Sequence, residues 1–280
     1  LGTVATAIAG AGGGGGDAGV VELNVGKLLI STAGDNAKGV VAQSIGGGGG
    51  SAGTTLTNAQ GGAVSLTLAI GASGGSGGSG NNVYITTNGG RILTSGNAAP
   101  AMFVQSVGGG GGDASSVATG TSGSQLAING QVGGSGGDGG RGGNVTITNA
   151  TALQTTGANS IALYAQSVGG GGGESSLTAP GSSSSNNISG TLQVGGSGGG
   201  GGDAGAVTIT NRASILTTGN QSHGMLAQSV AGGGGRVSIT TDTSSDLTST
   251  ASMSFGASAG DGGNASNVAI TNSDSIVVRG

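Results

Sequence analysis

The chain of 280 residues has no cysteine, no tryptophan, two prolines and one histidine, with 1% aromatic and 6% charged residues. Each scarcity excludes something. Without cysteine there is neither a disulfide scaffold nor a thiolate metal site. Seven Lys plus Arg against eleven Asp plus Glu give a net charge of -4. That leaves too few basic contacts for a phosphate-binding surface, so nucleic acid is not an expected partner. Two prolines and no Gly at every third position exclude collagen. No apolar run approaches the roughly 18 residues of a membrane-spanning helix. Leu1 to Ala9 is apolar but short and lacks the basic start of a secretion signal. With no initiator Met and a start inside a repeat, the chain is expected to be a piece of a longer protein.

What is present is glycine: 71 residues, about a quarter of the chain, where roughly 7% is usual. One core of large side chains is therefore excluded. Yet 34% of the residues are hydrophobic, so this is not the composition of a solvated disordered tail.

Internal repeats organise the sequence. Gln-Ser-Ile/Val-Gly/Ala followed by a glycine run recurs at Gln43, Gln105, Gln166 and Gln228, at spacings of 62, 61 and 62. An apolar-x-apolar-Asn segment puts Asn24, Asn88, Asn149, Asn211 and Asn272 in a second series, spaced by 64, 61, 62 and 61. The wider first interval implies two extra residues around Lys27–Ile30. The distance from each Gln to the next Asn stays at 44 or 45 residues while the sequence drifts. Constant length with drifting sequence is what stacked coils require. We expect a single repetitive region of about four and a half units, at roughly 20–81, 82–143, 144–205 and 206–266, with partial units at both ends.

The units read as strands and turns. Val83-Tyr-Ile85, Val145-Thr-Ile147, Val207-Thr-Ile209 and Val268-Ala-Ile270 alternate with period two. This predicts Val83, Ile85, Val145, Ile147, Val207 and Ile209 inside, with Tyr84, Thr146 and Thr208 outside. Val64, Leu66, Leu68 and Ile70 alternate likewise, as do Leu126 and Ile128. Gly, Asn and Ser clusters between these runs read as turns that tolerate positive φ. The fold class expected is all-β, a parallel β-helix or β-solenoid. With about 20 residues per rung, each unit would supply three rungs and the chain a rod on the order of 65 Å long. A rival architecture lays the five-residue glycine runs side by side as polyproline II strands.

Few motifs carry chemistry. The runs Gly46–Gly50, Gly108–Gly112 and Gly169–Gly173 end in Ser51, Asp113 and Glu174, with no Gly-Lys-Ser/Thr and no following helix, so they are not phosphate loops. Gly133–Asp138, Gly108–Asp113 and Gly12–Asp17 match the first six positions of the calcium nonapeptide Gly-Gly-x-Gly-x-Asp. The apolar residue due two places later is Gly140, Ser115 and Gly19 instead, and one Asp per loop falls short of six or so oxygen ligands. Weak calcium binding at Asp113 or Asp138 stays open; no metal, cofactor or catalytic residue is assigned. Thr146/Thr148 and Thr208/Thr210 form Thr-x-Thr pairs of the kind that bind ice, but Tyr84 and Ala269 stand at equivalent places and a spacing of about 14 Å is expected on three-rung geometry, too sparse and irregular an array for that function. His223 is the only histidine, and its equivalents Lys38, Pro100 and Ile161 suggest a surface turn. Asp242 and Asp246 share a Ser/Thr-rich loop, and a carboxylate pair for glycoside cleavage could form only across coils. No enzyme activity is expected.

The succession Gly-Gly-Ser-Gly-Gly, Val-x-Ile-Thr-Asn, Ile-Leu-Thr-Thr-Gly and Gly-x-x-Ala-Gln-Ser-Val-Gly-Gly-Gly-Gly-Gly resembles the glycine-rich repeats in passenger regions of bacterial autotransporter surface proteins. It is clearest at 74–112, 133–173 and 195–235, with fainter copies across most of the chain. The resemblance implies an extracellular β-helical passenger on the bacterial surface, touching the outer membrane only through a barrel that these residues do not include. It implies a structural or adhesive stalk or fibre, with self-association expected and a host surface, abiotic surface or glycan as further partners. The alternatives are a carbohydrate-active β-helix enzyme and a calcium-dependent binding module. The strand-like runs at Leu1–Ile8 and Ser275–Gly280 are expected to continue into more chain or to meet another molecule.

Overall fold

A computed structural model describes residues 2–56, 63–118, 122–123, 126–179, 183–184, 188–241, 250–256 and 258–279. The described residues form parallel strands stacked in five main sheets, a β-solenoid without helices. Sheet A stacks Gly2–Ile8, Val64–Ile70, Leu126–Val132, Ile188–Val194 and Thr250–Phe255. Sheet B stacks Val21–Val25, Val83–Thr87, Val145–Asn149, Val207–Asn211 and Val268–Asn272. Sheet C runs through Leu28–Thr32, Gly90–Thr94, Ala152–Thr155, Ile215–Thr217 and Ile276–Val278. Sheet D holds Val40–Ile45, Met102–Val107, Leu163–Val168 and Met225–Val230, and sheet E holds Ala52–Leu56, Ala114–Ala118, Ser175–Ala179 and Val237–Thr241.

Every strand pairs with its equivalent one repeat away, as in Val83↔Val145↔Val207. One repeat is therefore one coil, and the expected three rungs per unit are wrong. About four and a half coils at about 4.8 Å each give a stack roughly 20 Å long, not 65 Å. A triangular rung does exist within the coil, formed by sheets B, C and D. The rest of each unit is spent on a second lobe, between sheets A and E, and on two glycine segments that cross from one lobe to the other.

The first lobe follows the sequence alternation. Val83, Ile85, Val145, Ile147, Val207 and Ile209 are buried to within 1% and form one cluster with Ile92, Leu153, Met102, Val104 and Leu163. Tyr84 is 39% exposed and leads the outward column Glu22–Tyr84–Thr146–Thr208–Ala269. Each inward Val or Ile contributes about 1.5–3 kcal/mol of burial. Ile147→Ala in the central coil is expected to cost about 2–5 kcal/mol in thermal or urea unfolding, whereas Thr146→Val beside it should shift the midpoint little.

The Asn series is correct for three coils and one residue out for two. Asn149, Asn211 and Asn272 stack in register, but Thr87 and Val25 hold that column in the first two coils. Asn149 Nδ2 donates to Asn211 Oδ1 and Asn211 Nδ2 to Asn272 Oδ1, both at 2.7 Å, while Thr87 Oγ1 donates to Asn149 Oδ1 at 2.9 Å. The first copy has no extra residues either. Val25↔Thr87 and Leu28↔Gly90 keep one offset, and the third coil drops a residue where Ala152 pairs with Arg91.

The glycine runs are not positive-φ turns. Among the described residues positive φ is confined to Asn36, Ala98, Asn159 and Gln221, at one equivalent turn, and to Gly89 and Gly90. The runs hydrogen-bond with a period of three, that of a polyproline II helix. In residues 71–80, the N–H groups of Gly71, Gly74, Gly77 and Gly80 donate to Val132, Ser135, Asp138 and Arg141 O of the next coil, at 2.7–2.9 Å. Gly75 and Gly78 N–H donate at 2.8 Å to Gly50 and Gly47 O, in the oppositely directed run at 46–50. The remaining positions, Ser73, Ser76 and Ser79, face outward. The two segments thus alternate up the axis, Gly47 donating to Gly16, Gly78 to Gly47, Gly109 to Gly78 and Gly140 to Gly109 at 2.8–2.9 Å. The expected solenoid and its polyproline II rival describe one structure.

The second lobe departs from the expected polarity. In sheet A the small or polar residues Ser65, Thr67, Ala69, Ala127, Asn129, Gln131 and Gln193 are buried at 0–1%. Leu66, Leu68, Ile128, Val132, Leu192 and Val194 stand outside. Alternation separates two faces without saying which is inward. Here the inner side meets sheet E across a small apolar cluster of Leu56, Ala69 and Ala118.

Candidate functional site

Several Asp and Asn side chains, among them Asp17, Asp113, Asp138, Asn82 and Asn144, line the outward side of the glycine segments, and Asp35 and Asn97 the turn. A recurring device holds them there. A polyproline II segment turns every third N–H outward, where no neighbouring backbone can accept it. The Asp or Asn one coil earlier supplies the acceptor instead. Asp17 Oδ1 accepts Ser79 N–H at 2.6 Å, Asp113 Oδ1 accepts Glu174 N–H at 2.8 Å and Asp138 Oδ1 accepts Gly200 N–H at 2.7 Å. Asn82 and Asn144 do the same for Asn144 and Ala206, and Asp35 and Asn97 for Asn97 and Ala158 at the turn.

The two calcium candidates, Asp113 and Asp138, therefore each spend one carboxylate oxygen on a backbone cap. Among the described residues no group of three or more His, Cys, Asp or Glu comes together. Two surface grooves touch this face. One, of about 340 Å³, is lined by Asp17, Asn81, Asn82, Arg141 and Asn144. The other, of about 280 Å³, is lined by Asp138, Arg141 and Asp203. Arg141 Nε lies 3.7 Å from Asp203 Oδ2 and sits in both grooves, so neither offers one sign of charge.

The acidity of the Asp203 carboxyl is altered by its surroundings. The Asn264 N–H at 2.8 Å, then the Asn264 amide, and to a smaller extent Arg141 hold it below the ordinary Asp value. A carboxyl lowered by folding stabilises above its unfolded value, near 3.9, and loses that contribution as pH falls through the lowered folded value. Melting temperature is thus expected to fall with acidification below about pH 4. Asp203→Asn, which keeps an acceptor, should flatten part of that decline.

The single histidine, His223, is exposed on the turn after Ser222, and its backbone O accepts from Ala162 N–H. Its column runs through Ile161, Pro100 and Lys38, and among the described residues no nucleophile is hydrogen-bonded to its ring. Asp242 and Asp246 lie outside the described residues. The position of the Thr pairs recurs at every coil, about 4.8 Å apart rather than 14 Å. Thr146 and Thr208 stack directly, but Glu22, Tyr84 and Ala269 still interrupt their column.

The four Gln residues occupy equivalent places, as expected, but cap no backbone group. Their amides bond one another: Gln43 Nε2 to Gln105 Oε1 at 2.9 Å, Gln105 to Gln166 at 2.8 Å and Gln166 to Gln228 at 3.2 Å. Beside them Phe103 and Tyr164 stack with ring centroids 5.1 Å apart. Partial burial raises the Tyr164 pKa. Backbone clamping falls to the next residue. Ser106 Oγ donates to Asn81 O and accepts Gly143 N–H of the following coil, both at 2.8 Å; Ser167 repeats this with Gly143 O and Gly205 N–H. Ser44 and Ser229 complete the column. The invariable Ser after each Gln was the available signal in the sequence.

No family model, no curated protein and no solved structure matches the chain.

Proposed function

We propose that the chain is a structural element: a stiff solenoid segment of an extracellular passenger on a bacterial surface, acting as a stalk or fibre section in attachment or biofilm-type assembly. The observation that carries this reading is axial continuity. Sheets at the circumference, glycine segments through the middle and Gln, Asn and Ser ladders beside them all bond each coil to the next. Such a stack resists bending and stretching through backbone hydrogen bonds, at little side-chain entropy cost. The surface location rests on the resemblance of the repeats to autotransporter passengers.

Single-molecule stretching of the segment between two reference domains tests the reading. The expected record is high resistance followed by stepwise release of about one coil at a time. Extension at low force, or turnover of a polysaccharide by the purified segment, would replace the structural reading with a catalytic or binding one.

A further inference from the structure

Sheet A turns its apolar side outward. Leu66, Leu68, Ile128, Val132, Leu192 and Val194 are 36–43% exposed, and Met253 and Phe255 continue the surface at 58% and 52%. The five strands carry no Asp, Glu, Lys or Arg. A contiguous exposed apolar patch rimmed by polar residues ordinarily marks an interaction surface. The polar members of sheet A have gone inward, so the apolar alternation has no use within the coil.

We propose that this face packs against the same face of a second copy of the chain, forming a two-sheet sandwich. The inference deepens the structural reading by naming a lateral partner and the surface that receives it.

Two observations favour a second copy as the occupant. The face is uncharged throughout, so a two-fold pairing of identical faces brings no like charges together. The area suffices too. Five strands about 4.8 Å apart and six or seven residues long cover on the order of 500 Å² per copy, or about 1,000 Å² for the pair, the least that a specific interface is expected to bury.

Sedimentation velocity over a range of concentrations tests this. The wild-type chain is expected to sediment as a reversible dimer, and Ile128→Lys combined with Leu192→Lys as a monomer with an unchanged far-ultraviolet spectrum. Thr146→Lys with Thr208→Lys, on the outward face of sheet B, should leave the dimer intact. Should the sheet A lysines prevent folding, the absence of native cysteine offers a second route. Ile128→Cys is then expected to cross-link between copies with a short bismaleimide, and Thr146→Cys is not. A wild-type monomer at every concentration, a dimer indifferent to the sheet A lysines, or a monomer captured by phosphatidylcholine vesicles would overturn the proposal. Any of these leaves the stalk reading standing, whereas polysaccharide turnover would remove that reading and leave the dimer.

Discussion

Replacing Gly109 by Ala is expected to destabilise the coil severely, while the same replacement at Gly110, its immediate neighbour, should be neutral or mildly stabilising. A methyl on Gly109 would overlap Gly47 O and C of the preceding coil, closer than any real Cβ stands. Those atoms belong to backbone fixed by the axial hydrogen-bond relay, since Gly47 O accepts from Gly78 N–H. No rotamer change can relieve the clash; the two crossing segments must separate. Overpacking a rigid site costs about 1–3 kcal/mol and more where nothing can yield, so at least about 3 kcal/mol is expected here. On Gly110 the new methyl meets only Gly171 O, at 3.8 Å, and φ is not positive. Removing glycine's freedom from the unfolded chain at such a site gains about 0.4–1 kcal/mol. Opposite signs at adjacent glycines distinguish close-packed polyproline II segments from loops. Equal effects on the thermal midpoint would contradict the packing.

The same contrast shows what the sequence could disclose. Sheet B was legible because Val-x-Ile carries large side chains with period two, and burial depends on little else. The Gln column was legible because its residue never changes. The glycine segments were harder, since a run such as Gly108–Gly112 has no side chains to display a period. Yet Gly74-Gly-Ser-Gly-Gly-Ser79 and Gly133-Gly-Ser-Gly-Gly-Asp-Gly-Gly-Arg141 show it openly, with one outward side chain in three. Reading them as turns followed from glycine's tolerance of positive φ, when its smallness was the property in use. Coil size could not be read at all. A 62-residue sequence period fits one large coil or three small ones equally well, and only the register, such as Thr146↔Thr208, separates them. The post-glycine Asp residues suggested calcium for a related reason. Their regular place reflects a backbone N–H that falls due at that point of the polyproline II period, as Asp138 answers Gly200.

Ser106→Ala is expected to show how far the glycine segments depend on the first lobe. Ser106 is fully buried and sits where the 71–80 segment turns into sheet B. Its hydroxyl donates to Asn81 O in its own coil and accepts from Gly143 N–H in the next, both at 2.8 Å. Removing it leaves the Asn81 carbonyl and the Gly143 N–H, both near the surface, without that partner, at about 0.5–1.5 kcal/mol for each hydrogen bond lost. No larger side chain can restore the bridge from nearby, because the hydroxyl already lies against the Cα of Gly80, where even a Cβ would come within 2.6 Å of it. Ser76→Ala, on the outward row of the same segment, removes only an exposed hydroxyl and should change stability by less than about 0.5 kcal/mol. Native-state hydrogen exchange supplies the decisive reading. In Ser106→Ala the amides of Gly143 and its neighbours should exchange faster, while Ile147 in the adjoining strand stays protected by its own ladder. Exchange that rises evenly through both lobes would mean that the coil opens as one unit and that Ser106 is no local clamp.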